Sequence, residues 1–226
     1  MERTVVVTGG TGGLGAAVTR TLLDDGWRVV VPWYDERELE RVAEHDRLVL
    51  VQADLTDPES AANVVARAGE GLSALVNLVG GFAQGERVHE TPVDDFERLL
   101  RLNLRPTYLM SAAAIPPMLA RGGGAIVCVS ARAAIQPFPG AAGYITAKAA
   151  VLAFVDVLHA EYRSDGIRAN AIMPSIIDTP ANRESQPDAD YDRWVKPEEI
   201  ARVVAHLCSD DAGVTSGGHI PVYGRA

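Results

Sequence analysis

The chain has 226 residues, 47% of them hydrophobic and 23% charged, the balance of a globular protein with a sizeable buried core. Its formal net charge of −9, without any Lys/Arg block, argues against a nucleic-acid partner. Five scattered histidines and two distant cysteines, Cys128 and Cys208, lack metal-ligand spacing, so no metal is expected and the thiols read as reduced and partly buried.

In chain order, residues 4–9 ("TVVVTG") read as a buried strand with no signal-peptide core before it. A glycine-rich turn follows, then a helical pattern over about 13–25. A second strand at 27–33 leads to a helical pattern at 36–44, and a third strand at 47–54 leads to one at 58–68. The latter opens with Thr56 or Asp57 as cap and Pro58 in the first turn. A fourth strand at 73–80 precedes a long helix over 93–120, in which Pro106 should produce a kink by opposing the carbonyl of Leu102. A fifth strand (125–130), a helix (143–163), a sixth strand (167–174), a helix (197–208) and an edge strand near 218–224 complete the order. Apolar strands alternating with helices predict an α/β fold: one doubly wound parallel sheet covered by helices on both faces, in a single domain over 1–226. No apolar run reaches the length of a membrane span, and the chain reads as cytoplasmic.

The stretch 174–195 interrupts this rhythm with Pro and Asp at the carboxyl end of a strand, where open α/β sheets place their ligand crevice. Trp194 and Ile176–Ile177 suggest that it folds over a ligand, and together with the loop 83–90 it should shape the substrate site. The turn after the first strand holds Gly9, Thr11, Gly12, Gly13, Leu14 and Gly15, a composition suited to a pyrophosphate approaching backbone amides at a helix N-terminus. Farther on, Tyr144 and Lys148 stand four apart on one helix face. A nearby ammonium favours phenolate, which predicts a Tyr144 pKa drawn down towards the working range.

The pattern Thr8-Gly9-x-x-x-Gly13-x-Gly15 with Tyr144-x-x-x-Lys148 resembles the short-chain dehydrogenase/reductases along essentially the whole chain. The resemblance implies a Rossmann-like fold, an NAD(P) cofactor, a small-molecule substrate and association as a homodimer or homotetramer. It implies cofactor contacts from the glycine turn, Trp33, Asp54, Leu55, Asn77, Gly80, Lys148 and Thr179. Tyr144 is implied as the acid/base, Lys148 as its partner and ribose ligand, and Asn103 as part of a proton relay.

Two departures carry information. The second strand ends at Trp33 and Tyr34, with the acid Asp35 two places late and Arg37 able to swing in, a pattern leaning slightly towards NADP. The family's catalytic serine stands most often thirteen residues before the tyrosine, a place held by Ala131, with Ser130 one step earlier, so either could face the site. Segments such as "VGGF", "ARAA" and 178–194 are similar to the quinonoid dihydropteridine reductases. The leading expectation is hydride transfer between nicotinamide and a carbonyl or alcohol. The alternatives are reduction of a quinonoid ring, or a non-catalytic NAD(P)-binding sensor or partner subunit.

Overall fold

Strands that are apolar on both faces need cover on both, and the sequence supplies it by inserting a helix between successive strands. The computed structural model describes residues 3–225; Met1, Glu2 and Ala226, the outer ends of the expected domain, lie outside the described residues. The strands are β1 (Thr4–Thr8), β2 (Arg28–Trp33), β3 (Leu48–Gln52), β4 (Leu72–Asn77), β5 (Gly124–Val129), β6 (Ile167–Pro174) and β7 (His219–Val222). They form one parallel sheet in the order 3-2-1-4-5-6-7. The helices are α1 (Gly15–Asp24), α2 (Pro58–Ala68), α3 (Val93–Asn103), α4 (Arg105–Arg121), α5 (Ala142–Tyr162), α6 (Pro180–Ser185) and α7 (Pro197–Cys208). The doubly wound α/β architecture expected from the sequence is the one that forms.

Alternation along each strand builds two cores. Val5, Val7, Val29, Val31 and Val127 pack under α1 and α7, while Val6, Val30, Leu75, Ile126 and Cys128 pack under α2, α4 and α5. The strand order reverses between β1 and β4, which leaves a crevice at their carboxyl ends. Pro32 widens it. Arg28 donates to Arg3 on the β1 side and Val29 to Arg47 on the β3 side, so by alternation the missing N–H of Pro32 faces β1. The β1–β2 ladder accordingly stops at Val6↔Val30, while β2–β3 runs on to Trp33↔Gln52.

Three elements differ from expectation. The helix expected over 36–44 is a 3₁₀ turn, Glu36–Arg41, capped by the Asp35 carboxylate on the Arg37 N–H. The segment is charged almost throughout and offers no apolar stripe to bury. The helix expected over 93–120 divides at Leu104 into α3 and α4, the break falling two residues before Pro106. The interrupted stretch 174–195 is ordered by α6, which Thr179 caps, by an Ile177↔Val195 bridge, and by the Tyr191 hydroxyl donating to the Gln186 and Pro187 carbonyls. Trp194 is buried beneath it. The helical run Ala142–Asp165 does have the length and mean hydropathy (1.3) of a membrane span, against the expectation that no run would. Its residues Val151, Leu152, Val155 and Leu158 are buried in the core that α5 covers.

Candidate active site

The glycine turn is held by contacts that exclude side chains. Gly9 adopts φ +65°, and a Cβ there would meet Leu78 and Val79 backbone at 3.2 Å. The Thr8 hydroxyl accepts the Leu78 N–H at 3.1 Å and so ties the end of β1 to the end of β4. A Cβ on Gly15 would lie 1.9 Å from the Gly9 carbonyl oxygen, so helix and loop pack backbone to backbone. No side chain caps α1, whose N-terminus opens onto a cavity of about 570 Å³. That volume lies in the range of ligand sites, roughly 300–1,000 Å³. Gly9, Thr11, Gly12, Gly13, Leu14 and Gly15 of the glycine turn border it with Trp33, Asp54, Leu55 and Gly80, so most of the expected cofactor contacts are brought together. The donor set suits a dinucleotide: bare amides where a pyrophosphate needs them, and a flat apolar and carboxylate end for an adenosine.

Asn77 is not among the lining residues. Alternation turns it to the α4 side of the sheet, where Nδ2 donates to Ser111 Oγ at 3.2 Å and approaches Cys128 Sγ at 3.6 Å. Its Oδ1 is buried without a partner. Thr179 and Lys148 stand at the cavity's edges instead. A Cβ on Gly13 would touch the Thr179 methyl at 3.0 Å, so the 174–195 segment lies against the glycine turn. At the other end, a Cβ on Gly80 would lie 3.1 Å from Lys148 Nζ and 2.5 Å from Asn103 Oδ1.

Lys148 is gripped by the end of β5. Its ammonium donates to the Val129 carbonyl at 3.0 Å, while the Ser130 hydroxyl donates to the Lys148 carbonyl at 2.7 Å. Ser130 is 2% exposed, and its single hydroxyl proton goes to the α5 backbone. Ala131, next along, is 7% exposed and brings no polar group. Burial lowers the Lys148 pKa to about 8. Tyr144 packs edge-on against Phe82 at 5.1 Å, and Phe82 neighbours Phe138 at 6.3 Å, forming an aromatic cluster. The expected lowering of the Tyr144 pKa does not occur in the protein alone: burial raises it to about 12, and the ammonium is turned to Val129.

Asn103 is wholly buried and braces the turn after β4. Its Nδ2 donates to the Gly81 and Leu99 carbonyls, both at 3.0 Å, and its Oδ1 accepts the Gly81 N–H at 3.1 Å. The relay implied for it by resemblance would have to work around these bonds. Asn103→Ala leaves both backbone groups of Gly81 unpaired and should destabilise the fold by about 2–4 kcal/mol, measured by denaturant unfolding. Unfolding free energy within experimental error of wild type would show that water replaces the side chain.

Sequence reasoning missed Glu38. Its Oε2 accepts the Thr11 hydroxyl at 2.6 Å, and it borders the cavity. An acid three residues after the capping Asp35 was readable as a capping pair, but its reach across to the glycine turn was not. Arg37, considered as a possible phosphate ligand, is fully occupied by Asp35, whose carboxyl the guanidinium holds down at about 2.

Three buried groups and the half-buried Tyr144 set a pH profile. Lys148 falls from its ordinary 10.5 to about 8, so the unfolded chain binds the extra proton between those values and stability rises with pH there. Burial raises Cys128 and Cys208 from 9 to about 12, and Tyr144 from 10 to about 12, so the native state keeps those protons and stability falls with pH across their windows. The melting temperature in reducing buffer should therefore peak near pH 9, where two thiols begin to outweigh one lysine. Cys208→Ala should flatten the alkaline decline; an unchanged slope would contradict this assignment.

The sequence matches the short chain dehydrogenase family over residues 3–190. It is 33% identical to cis-4-hydroxycyclohexanecarboxylate dehydrogenase of Sinomonas cyclohexanicum, covering 99% of this chain and 96% of that protein. It is 31% identical to 2-(R)-hydroxypropyl-CoM dehydrogenase of Xanthobacter autotrophicus, covering 99% and 98%. Among solved structures, a short chain dehydrogenase/reductase family protein superposes with a TM-score of 0.91 at 35% identity, covering 98% of this chain and 96% of that one.

Proposed function

The chain belongs to the short-chain dehydrogenase family and is a nicotinamide-dependent oxidoreductase, and from that premise we propose that it interconverts an apolar or aromatic carbonyl compound and its alcohol, with Tyr144 as the acid/base. The observation that carries this reading is the delivery of Tyr144 and Lys148 by one helix to the end of β5, beside the glycine-lined cavity. The bound nicotinamide supplies or accepts the hydride. Tyr144, protonated at neutral pH, gives its proton to the carbonyl oxygen during reduction, so hydride and proton together convert C=O to CH–OH.

Lys148 keeps a positive charge beside the reacting groups and helps restore the phenol's proton, and Ser130 holds its helix turn in place. Ala131 supplies no second donor to the substrate oxygen, which favours substrates whose oxygen or nitrogen needs little such help, including a quinonoid dihydropterin. Phe82, Phe138, Ile135 and Ile176 present exposed apolar surface, suited to a flat or apolar substrate. The test is a turnover screen of aliphatic and aromatic ketones, aldehydes and a quinonoid dihydropterin with NADH and with NADPH. Tight nucleotide binding without turnover of any of them would reject the enzyme reading for this substrate class. The family resemblance also favours a homo-oligomer, which sedimentation would establish.

A further inference from the structure

We propose that Glu38 makes this site select NAD over NADP, by holding a carboxylate where the adenosine 2′-phosphate would have to lie. The inference rests on the dinucleotide reading of the cavity. It reverses the slight lean drawn from the strand end, where Trp33 replaces the expected acid. That lean assumed that no carboxylate reaches the ribose end, and the structure brings one from another element.

Glu38 belongs to the 3₁₀ turn after β2, yet its Oε2 sits 2.6 Å from the hydroxyl of Thr11 in the glycine turn. The carboxylate therefore bridges the glycine turn and the segment following Trp33 and Tyr34. In open α/β sheets this gap receives the adenosine ribose, and the group found there decides between hydroxyl and phosphate. A ribose hydroxyl can donate to a carboxylate, whereas a phosphate offers only acceptor oxygens and negative charge. Among the described residues, those lining the cavity include two carboxylates, Glu38 and Asp54, and no Lys, Arg or His.

Neither of the cations beside Glu38 cancels its charge. Arg37 pairs with Asp35 and its side chain is 89% exposed, pointing to solvent. Arg41 reaches the other oxygen of Glu38 at 3.5 Å, so it moderates the charge without removing it. Thr11 is 1% exposed and fixes the near oxygen, so Glu38 cannot swing away without breaking that bond.

The test is nucleotide binding, read by quenching of protein fluorescence with NADH and NADPH and independent of any substrate. Wild type should bind NADH at least about tenfold more tightly, the effect of one poorly screened charge on a phosphate. Glu38→Gln keeps an acceptor for Thr11 while removing the charge; it should tighten NADPH by about tenfold and change NADH by less than about threefold. Arg41→Ala should widen the preference for NADH. Equal or tighter binding of NADPH by wild type, or a ratio that Glu38→Gln leaves unchanged, would overturn the proposal. If the folded wild type binds neither nucleotide, the dinucleotide reading fails first and takes this inference with it.

Discussion

Tyr144→Phe should lower kcat by about 10²–10⁴-fold, the range for loss of a positioned general acid, while nucleotide affinity stays within about twofold of wild type. The substitution removes one oxygen and keeps the ring, so the edge-on contact with Phe82 at 5.1 Å survives. Stability should change little at neutral pH, since the phenol's shifted titration matters only above about pH 10. Lys148 keeps its bond to Val129, and the glycine turn lies on a different element, so nothing in the cofactor cradle depends on the hydroxyl. The measurement is a single-turnover assay with saturating nucleotide, paired with a binding titration. Turnover retained within about threefold would remove Tyr144 from the chemistry and direct attention to a bound water as the proton source.

The second large effect concerns backbone packing. Gly15→Ala places a methyl group 1.9 Å from the Gly9 carbonyl oxygen and 2.7 Å from the Gly10 Cα, and backbone on both sides leaves it nowhere to go. Either α1 lifts off the turn or the turn opens. The expected loss is about 3 kcal/mol or more of stability, at the upper end of overpacking, together with loss of measurable nucleotide binding. Neighbouring glycines serve as graded controls. A Cβ at Gly12 would meet only the Gly9 oxygen, at 3.3 Å, so Gly12→Ala should leave the fold intact. At Gly13 the obstacle is the Thr179 side chain at 3.0 Å, so Gly13→Ala should displace the 174–195 segment while sparing the core. Thermal melting and nucleotide titration across the three variants would separate these effects. Equal behaviour of all three would show that the turn is looser than its contacts imply.

The strands were legible because each is a short apolar run with distinct ends, and the glycine turn because its spacing has few other physical uses. That Tyr144 and Lys148 share one helix four residues apart needed only the helical repeat. Other features depended on contacts between distant segments. Whether residues 36–44 form a helix turned on the absence of any face to bury, and the resulting 3₁₀ turn is what carries Glu38 to Thr11 across 27 positions. The roles of Asn77 and Ser130 depended on which side of the sheet each faces. Asn77 meets Ser111 and Cys128 in the core, and Ser130 meets the Lys148 carbonyl.

By itself the sequence determined the alternation of strands and helices, the parallel sheet, the anion-binding turn and the helix bearing Tyr144 and Lys148, because hydrophobic period, glycine placement and i,i+4 spacing are local quantities. Only the tertiary structure decided that the Glu38 carboxylate reaches the glycine turn, which groups clamp Lys148, and that the Tyr144 phenol is raised to about 12. Those outcomes depend on burial and on long-range neighbours, and desolvation and through-space charge act without regard to distance along the chain.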